Sequence, residues 1–287
     1  MNHKPLAASV FICLMCLAFE SGLAQYYQVK RFKKRFDVPA NQLLEVNIDI
    51  DAAEVRMEAS PRRREARVTI YYVVDMFNVR VSSDFDERHS RLDIEFERKK
   101  WVHSDDDDVK AEAIIELPAG VEIDLEANVK AGEVDIDFGG LALAGLDLTT
   151  WAGEVSVDFS EPNKTRMDYL RINTKIGETH IDKLGNARFK RAEINGGIGE
   201  LQVDFRGQLL YEAVAKVDLD IGETDIVLPR EVGIKMAVSK FLFLSDFRVP
   251  KRFTKSGRYY FSQNYDHTNH ELELHISPGL GELKIGY

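Results

Sequence analysis

The chain is expected to be all-β, a parallel, right-handed β-solenoid with coils of about 22 residues and an irregular C-terminal cap. Three observations lead there. Gly-Glu pairs recur at Gly132-Glu133, Gly153-Glu154, Gly177-Glu178, Gly199-Glu200 and Gly222-Glu223, in steps of 21, 24, 22 and 23 residues, and a sixth, Gly281-Glu282, follows after a longer gap. Apolar and polar residues alternate on both sides of each glycine. Each unit closes with a polar return, such as Ser160-Glu161-Pro162-Asn163-Lys164 or Lys183-Leu184-Gly185-Asn186. A unit this small cannot bury its own apolar face, so neighbours must stack.

Residues 1–24 read as a secretory signal peptide. Lys4 precedes an apolar run, Leu6 to Phe19, and Ser21-Gly22-Leu23-Ala24 offers small residues ahead of Gln25. The run is short for a membrane span, which needs about 20 residues. An uncleaved N-terminal anchor is the alternative. No other stretch is long and apolar enough to span, so the mature chain is expected to be exported, periplasmic or extracellular, with no transmembrane span. Both cysteines, Cys13 and Cys16, fall in this leader, which leaves no disulfide, cysteine ligand or cysteine nucleophile for the remainder.

Residues 25–118 read as an N-terminal β region with insertions, forming the first coils. Leu44-Glu45-Val46-Asn47-Ile48-Asp49-Ile50 alternates cleanly, and Ala52-Ala53-Glu54-Val55 resembles a degenerate Gly-Glu turn. Val68 to Val74, Val79 to Val81 and Leu92 to Phe96 are further strands. Pro61-Arg62-Arg63-Arg64 and Asp105-Asp106-Asp107-Asp108 read as solvated loops.

Residues 119–287 read as the regular solenoid. Positions +2 and +4 after each glycine are mostly apolar (Val134 and Ile136, Val155 and Val157, Leu201 and Val203), as are positions −5 and −7 (Leu146 and Leu148, Leu170 and Ile172, Ala192 and Ile194, Ala215 and Val217). This period of two on each side describes two short strands meeting at a bend, where glycine permits left-handed or tight geometry. A sandwich of β-hairpins is the runner-up; it explains the strands but not the fixed register of the pairs. Leu228 to Phe261 breaks the rhythm and carries Phe241, Phe243, Phe247 and Phe253, read as the core of a terminal cap.

The composition limits function. Among 287 residues, 44% are hydrophobic and 30% charged, which is globular, and the net charge of −10 sets nucleic-acid binding aside. The post-glycine glutamates should stack about 4.8 Å apart, where unit charges in water repel by about 0.9 kcal/mol. The column must therefore face solvent or be neutralised by cations or lysines, and the same holds for Asp137, Asp158, Asp182 and Asp204. A solvated turn ladder is expected; the nonapeptide pattern of calcium-bound β-rolls is absent. No Gly-x-Ser-x-Gly elbow, phosphate-binding loop or His-Glu-x-x-His motif occurs. His267 and His270 sit among turn formers and read as a surface loop rather than a metal site. The basic run Lys30-Arg31-Phe32-Lys33-Lys34-Arg35 reads as a solvated edge, with contact to an anionic membrane or cell-wall surface as the alternative.

Leu44-Glu45-Val46-Asn47-Ile48, Ala53-Glu54-Val55 and the Gly-Glu ladder together resemble the bacterial "putative-adhesin" domains (DUF4097-like), β-solenoids of exported proteins. Ser262-Gln263-Asn264-Tyr265-Asp266, Glu271-Leu272-Glu273-Leu274-His275-Ile276 and Gly279-Leu280-Gly281-Glu282-Leu283-Lys284-Ile285 resemble the C-terminal domain of the cell-wall-active antibiotic response proteins, the LiaF-like group, and its toast-rack relatives. LiaF-like proteins carry several N-terminal membrane helices, whereas this chain has one signal-like segment. The resemblance implies no catalytic residues, metal or cofactor. It implies a non-enzymatic cell-envelope binding or scaffolding module whose partner is an envelope protein or a cell-surface glycan. The alternatives are an envelope-stress regulatory component that binds a membrane sensor and, by analogy of fold alone, a polysaccharide-active β-helix enzyme.

Overall fold

The structure, a computed structural model, describes residues 28–40, 42–86, 89–99, 111–239 and 249–287. The leader over 1–24, the acidic run at 105–108 and Phe241, Phe243 and Phe247 lie outside the described residues. Strands dominate, joined by turns and two single-turn 3-10 segments, Leu184–Ala187 and Tyr265–His267.

The N-terminal region supplies β1 (Val29–Asp37), β2 (Leu44–Ile50), β3 (Glu54–Ala59), β4 (Glu65–Val73), β5 (Phe77–Phe85), β6 (Ser90–Arg98) and β7 (Glu112–Leu117). β8 (Ile123–Val129) and β9 (Val134–Asp137) form the first regular coil. In the next four coils one continuous strand runs through the bend: β10 (Leu143–Asp158), β11 (Met167–Asp182), β12 (Phe189–Asp204) and β13 (Ala213–Val227). Then come β14 (Gly233–Val238), β15 (Phe253–Ser256), β16 (Tyr259–Ser262), β17 (Glu271–Ser277) and β18 (Leu280–Gly286).

Each coil has two legs, before and after the bend, and legs pair parallel with like legs of the neighbouring coil. β10 pairs with β11 from Gly145↔Tyr169 to Asp158↔Asp182, and β11–β12 and β12–β13 continue in the same register. Parallel pairing of successive coils is a solenoid and not a sandwich of hairpins. Residues at −7, −5, +2 and +4 point inward and are buried nearly throughout. Each fully buried large apolar side chain stabilises by about 1.5–3 kcal/mol. A second apolar column lies six residues past the glycine, with Phe138, Phe159, Phe205 and Leu228 buried. Lys183 occupies that position after Gly177; its left-handed φ of 50° passes the chain on so that Leu184 fills the column instead.

At both ends, chain order is not the order of the coils. β2–β3 lies between β6–β7 and β8–β9: β2 pairs parallel with β6 and β8, and β3 with β7 and β9. At the other end β17 lies between β13 and β14. The sixth Gly-Glu pair therefore stacks directly on the fifth, and the long gap between them is an excursion that builds the β14–β15–β16 cap. Antiparallel strands finish the other end, β5 on β6 and β1 on β4.

Candidate functional site

The Gly-Glu bends form one column along the edge where the two legs meet. Gly153, Gly177, Gly199, Gly222 and Gly281 are paired in register, and their glutamates with them. Gly132 joins below, its N–H donating to Ala152 O at 3.3 Å. The six glycines have φ between 131° and 153°, a region that side chains of L-residues avoid. A Cβ on any of them would also lie 1.7–1.9 Å from the carbonyl oxygen of the rung before. The glycine is thus required twice, by conformation and by close approach. Ala53 starts the ladder; its carbonyl faces Gly132. Its own φ is not positive, and the next residue, Glu54, donates its N–H to Ala111 O at 2.9 Å.

Glu54, Glu133, Glu154, Glu178 and Glu282 are exposed, and Glu200 and Glu223 half-buried. Lys284 enters the column: it bonds Glu223 and lies 4.0 Å from Glu282. The hydrogen bond to Glu223 raises the Lys284 pKa above its ordinary value. The aspartates five residues past the glycine are treated one by one. Asp137 accepts from Ser160 Oγ at 2.6 Å and Asp158 pairs with Lys183 at 3.1 Å. Asp204 is buried and bound by Arg206 at 2.7 Å, while Asp182 is exposed.

The most prominent surface feature was hidden from sequence reasoning. The residue just before each of the last five glycines is Ala152, Ile176, Ile198, Ile221 or Leu280, all in register. The four large ones are 41–56% exposed. They share the parity of the buried −7 and −5 positions, so simple alternation assigns them to the core. The bend turns them outward, giving an aliphatic stripe beside the glutamate column. Trp151 lies at the start of the stripe, half-exposed, with its indole N–H donating to Asn128 Oδ1 at 3.0 Å. An aliphatic residue directly preceding the repeated glycine was the available signal.

Inside the bend the chain is polar but satisfied at its first rungs. Thr179 Oγ1 donates to Thr174 Oγ1 at 2.8 Å, and Thr150 Oγ1 is 3.2 Å from Thr174 Oγ1. At Gly196 the missing side chain is replaced by Leu219, whose Cδ1 would lie 2.5 Å from a Cβ there. On the outer face of the first leg, Tyr169 lies across Gly145 and donates to Asp124 Oδ1 at 2.5 Å. Burial and that bond push its phenol pKa well up.

His267 is exposed and His270 half-buried at the cap, and no cluster of three His, Cys, Asp or Glu side chains suited to a metal occurs among the described residues. No described helix is long and apolar enough to cross a membrane. The basic run Lys30–Arg35 lies on β1, an edge strand remote from the bend.

The family described as the N-terminal domain of toast_rack, DUF2154, matches residues 26–182. No curated protein matches the chain. Among solved structures, a "putative cell adhesion protein" from Clostridium sporogenes is similar over 90% of this chain and 99% of its own, at 13% identity and a TM-score of 0.46. A "putative adhesin" from Bacteroides fragilis is similar over 89% of this chain and 97% of its own, at 12% identity and a TM-score of 0.34. Another, from Parabacteroides distasonis, covers 89% and 97% at 10% identity with a TM-score of 0.21.

Proposed function

The chain belongs to the toast-rack family, and from that premise we propose that it is a non-enzymatic, exported binding or scaffolding module of the cell envelope whose contact surface is the outer edge of the bend. The observation that carries this reading is the stripe Ile176–Ile198–Ile221–Leu280 beside the glutamate column. Four large aliphatic side chains in register, each 41–56% exposed, make a contiguous apolar patch of the kind that marks interaction sites. The stripe lies on strands paired continuously through the bend, so little backbone ordering remains to be lost on binding. Isoleucine methyl groups offer apolar contact and no hydrogen bond, which suits a protein partner better than a hydroxyl-rich glycan. The adjacent carboxylates select for a partner with basic residues flanking its apolar ones. A membrane sensor bound as partner would make the module regulatory through the same face.

The test is photo-cross-linking in intact cells, with a photoreactive residue at position 198 or 221 and, as control, at Arg171 on the outer face of the first leg. Adducts specific to the bend are expected, and with the photoreactive residue at 198, Ile176→Asp with Ile221→Asp should abolish them without lowering Tm. Equal adducts at the control position, or capture that survives the aspartates, would remove the bend as the contact surface.

A further inference from the structure

We propose a second surface, independent of the bend: the β1 end of the solenoid docks on an anionic phospholipid bilayer. Five of the nine residues of β1 are basic. Pairing with β4 places Arg31, Lys33 and Arg35 on one face, opposite Tyr71, Thr69 and Arg67. Alternate residues on a strand are about 6.6–6.8 Å apart, so these cations form a regular row. Phe32 and Phe36 on the other face pack against the core and seat the strand. Lys30 and Lys34 are exposed on that side, and Lys34 Nζ reaches Val81 O of β5 at 3.4 Å, joining the edge strands of the two legs.

The fold adds a second group of cations from a distant stretch of chain. Val38 N–H donates to Arg64 O at 2.8 Å, and Arg62 and Arg35 converge on the carboxylate of Glu65 at 2.9 and 3.9 Å. The loop Arg62-Arg63-Arg64, exposed throughout, therefore sits at the end of β1. Lys30, Arg31, Lys33, Arg63 and Arg64 have no carboxylate partner among the described residues, in a chain with 48 acidic and 38 basic side chains. Several cations on the coils, Arg56, Lys130, Arg171, Lys183 and Lys216, are by contrast paired.

The acidic column does not oppose this contact. Its first glutamate, Glu54, is on β3, separated from β1 by β4 and β7. Three strand spacings are about 14 Å, beyond the Debye length of about 8 Å at physiological ionic strength. Glu116 on the intervening β7 is held by Arg67 at 2.9 Å. A planar surface meeting the β1 end thus meets mainly cations, with Asp37 the one exposed carboxylate on β1 itself, at the end of the row. Edge protection against strand pairing accounts for lysines on β1 but not for the loop arginines, which are on no edge. A bilayer is favoured over a soluble polyanion because the cations lie on two separate segments, the β1 row and the Arg62–Arg64 loop, spread along one end as an extended anionic surface requires.

The experiment is co-sedimentation of the full chain with vesicles of phosphatidylcholine alone or mixed with phosphatidylglycerol, over a salt series, with soluble polyphosphate as competitor. Binding should prefer the phosphatidylglycerol vesicles and fall as salt rises. Each cation removed should weaken it by about fivefold, so Lys30→Gln/Arg31→Gln/Lys33→Gln should lose about a hundredfold and the corresponding glutamates more. The control is Lys251→Glu/Arg252→Glu, two exposed cations at the opposite end, which should leave binding unchanged. Equal binding to both vesicles, equal loss in the control, or capture by polyphosphate without vesicle binding would each overturn the proposal. The glutamine variant, with an unchanged Tm, keeps the result readable if the glutamate variant folds poorly.

Discussion

At a ladder glycine the hydrogen in place of Cβ points at a carbonyl oxygen of the rung below. Gly177 illustrates the cost of adding a methyl group: φ is 136° and a Cβ would lie 1.8 Å from Gly153 O. Gly177→Ala should destabilise by at least about 3 kcal/mol, read from the urea midpoint, whereas Ala53→Gly at the start of the ladder should stay within about 1 kcal/mol. A cost below 1 kcal/mol at Gly177 would mean that the rungs can move apart. Glu65 is the second residue whose surroundings define its chemistry. It is 5% exposed and bound by Arg67 at 2.8 Å and Arg62 at 2.9 Å. The Arg67 hydrogen bond, aided by the charges of both arginines and opposed by desolvation, holds its carboxyl below the usual range. A folded pKa below the unfolded one gives stability that is full above the unfolded value, about 4.3, and lost as pH falls through the folded one. Glu65→Gln should therefore be less stable at neutral pH and flatter in its decline below about pH 4. Parallel acid limbs in the two proteins would show that Glu65 contributes no such linkage.

The element that repeats is a bend plus a return, and the two were unequally legible. The bend followed from Gly-Glu spacing and period-two alternation. The returns read simply as polar, yet two of their asparagines are buried and act as backbone substitutes. Asn163 donates from Nδ2 to Leu143 O at 2.8 Å, and its Oδ1 accepts from Leu143 N–H at 2.8 Å. Asn186 does the same work between Phe159 O and Gln208 N–H, at 2.8 Å each. An amide side chain satisfies a donor and an acceptor at once where the strand ladder stops, which composition alone does not distinguish from a solvated asparagine. Asn163→Ala strands both backbone groups of Leu143 and should cost about 2–4 kcal/mol by chemical denaturation. A loss under 1 kcal/mol would mean that water enters the return. The aliphatic stripe was missed for a related reason: the bend reverses which parity faces out.

For the whole molecule, the inserted coils decide how it comes apart. A solenoid stacked in chain order frays from its termini. Here β2, near the start of the described chain, is flanked by β6 and β8, and β17, near its end, by β13 and β14. Hydrogen exchange should accordingly protect β2 to the level of β11, while β1, β5 and β15, which pair on one side only, exchange faster. Exchange of β2 at the rate of β1 would contradict the insertion. The charge distribution belongs to this scale as well: a run of unpaired cations lies at the β1 end while carboxylates line the bend, so one molecule carries two surfaces of opposite chemistry.

The repeat, its period, the all-β composition and the inward positions of each leg could be read from the residues in order, because they depend on neighbours a few positions apart on one strand. The degenerate Ala53-Glu54 rung was legible on the same ground. Coil order at the two ends, the docking of Arg62–Arg64 beside β1, and the outward turn of Ile176, Ile198 and Ile221 were not. Each depends on which strands are adjacent in space, and that is set by backbone pairing between segments far apart in the chain, to which no local periodicity responds.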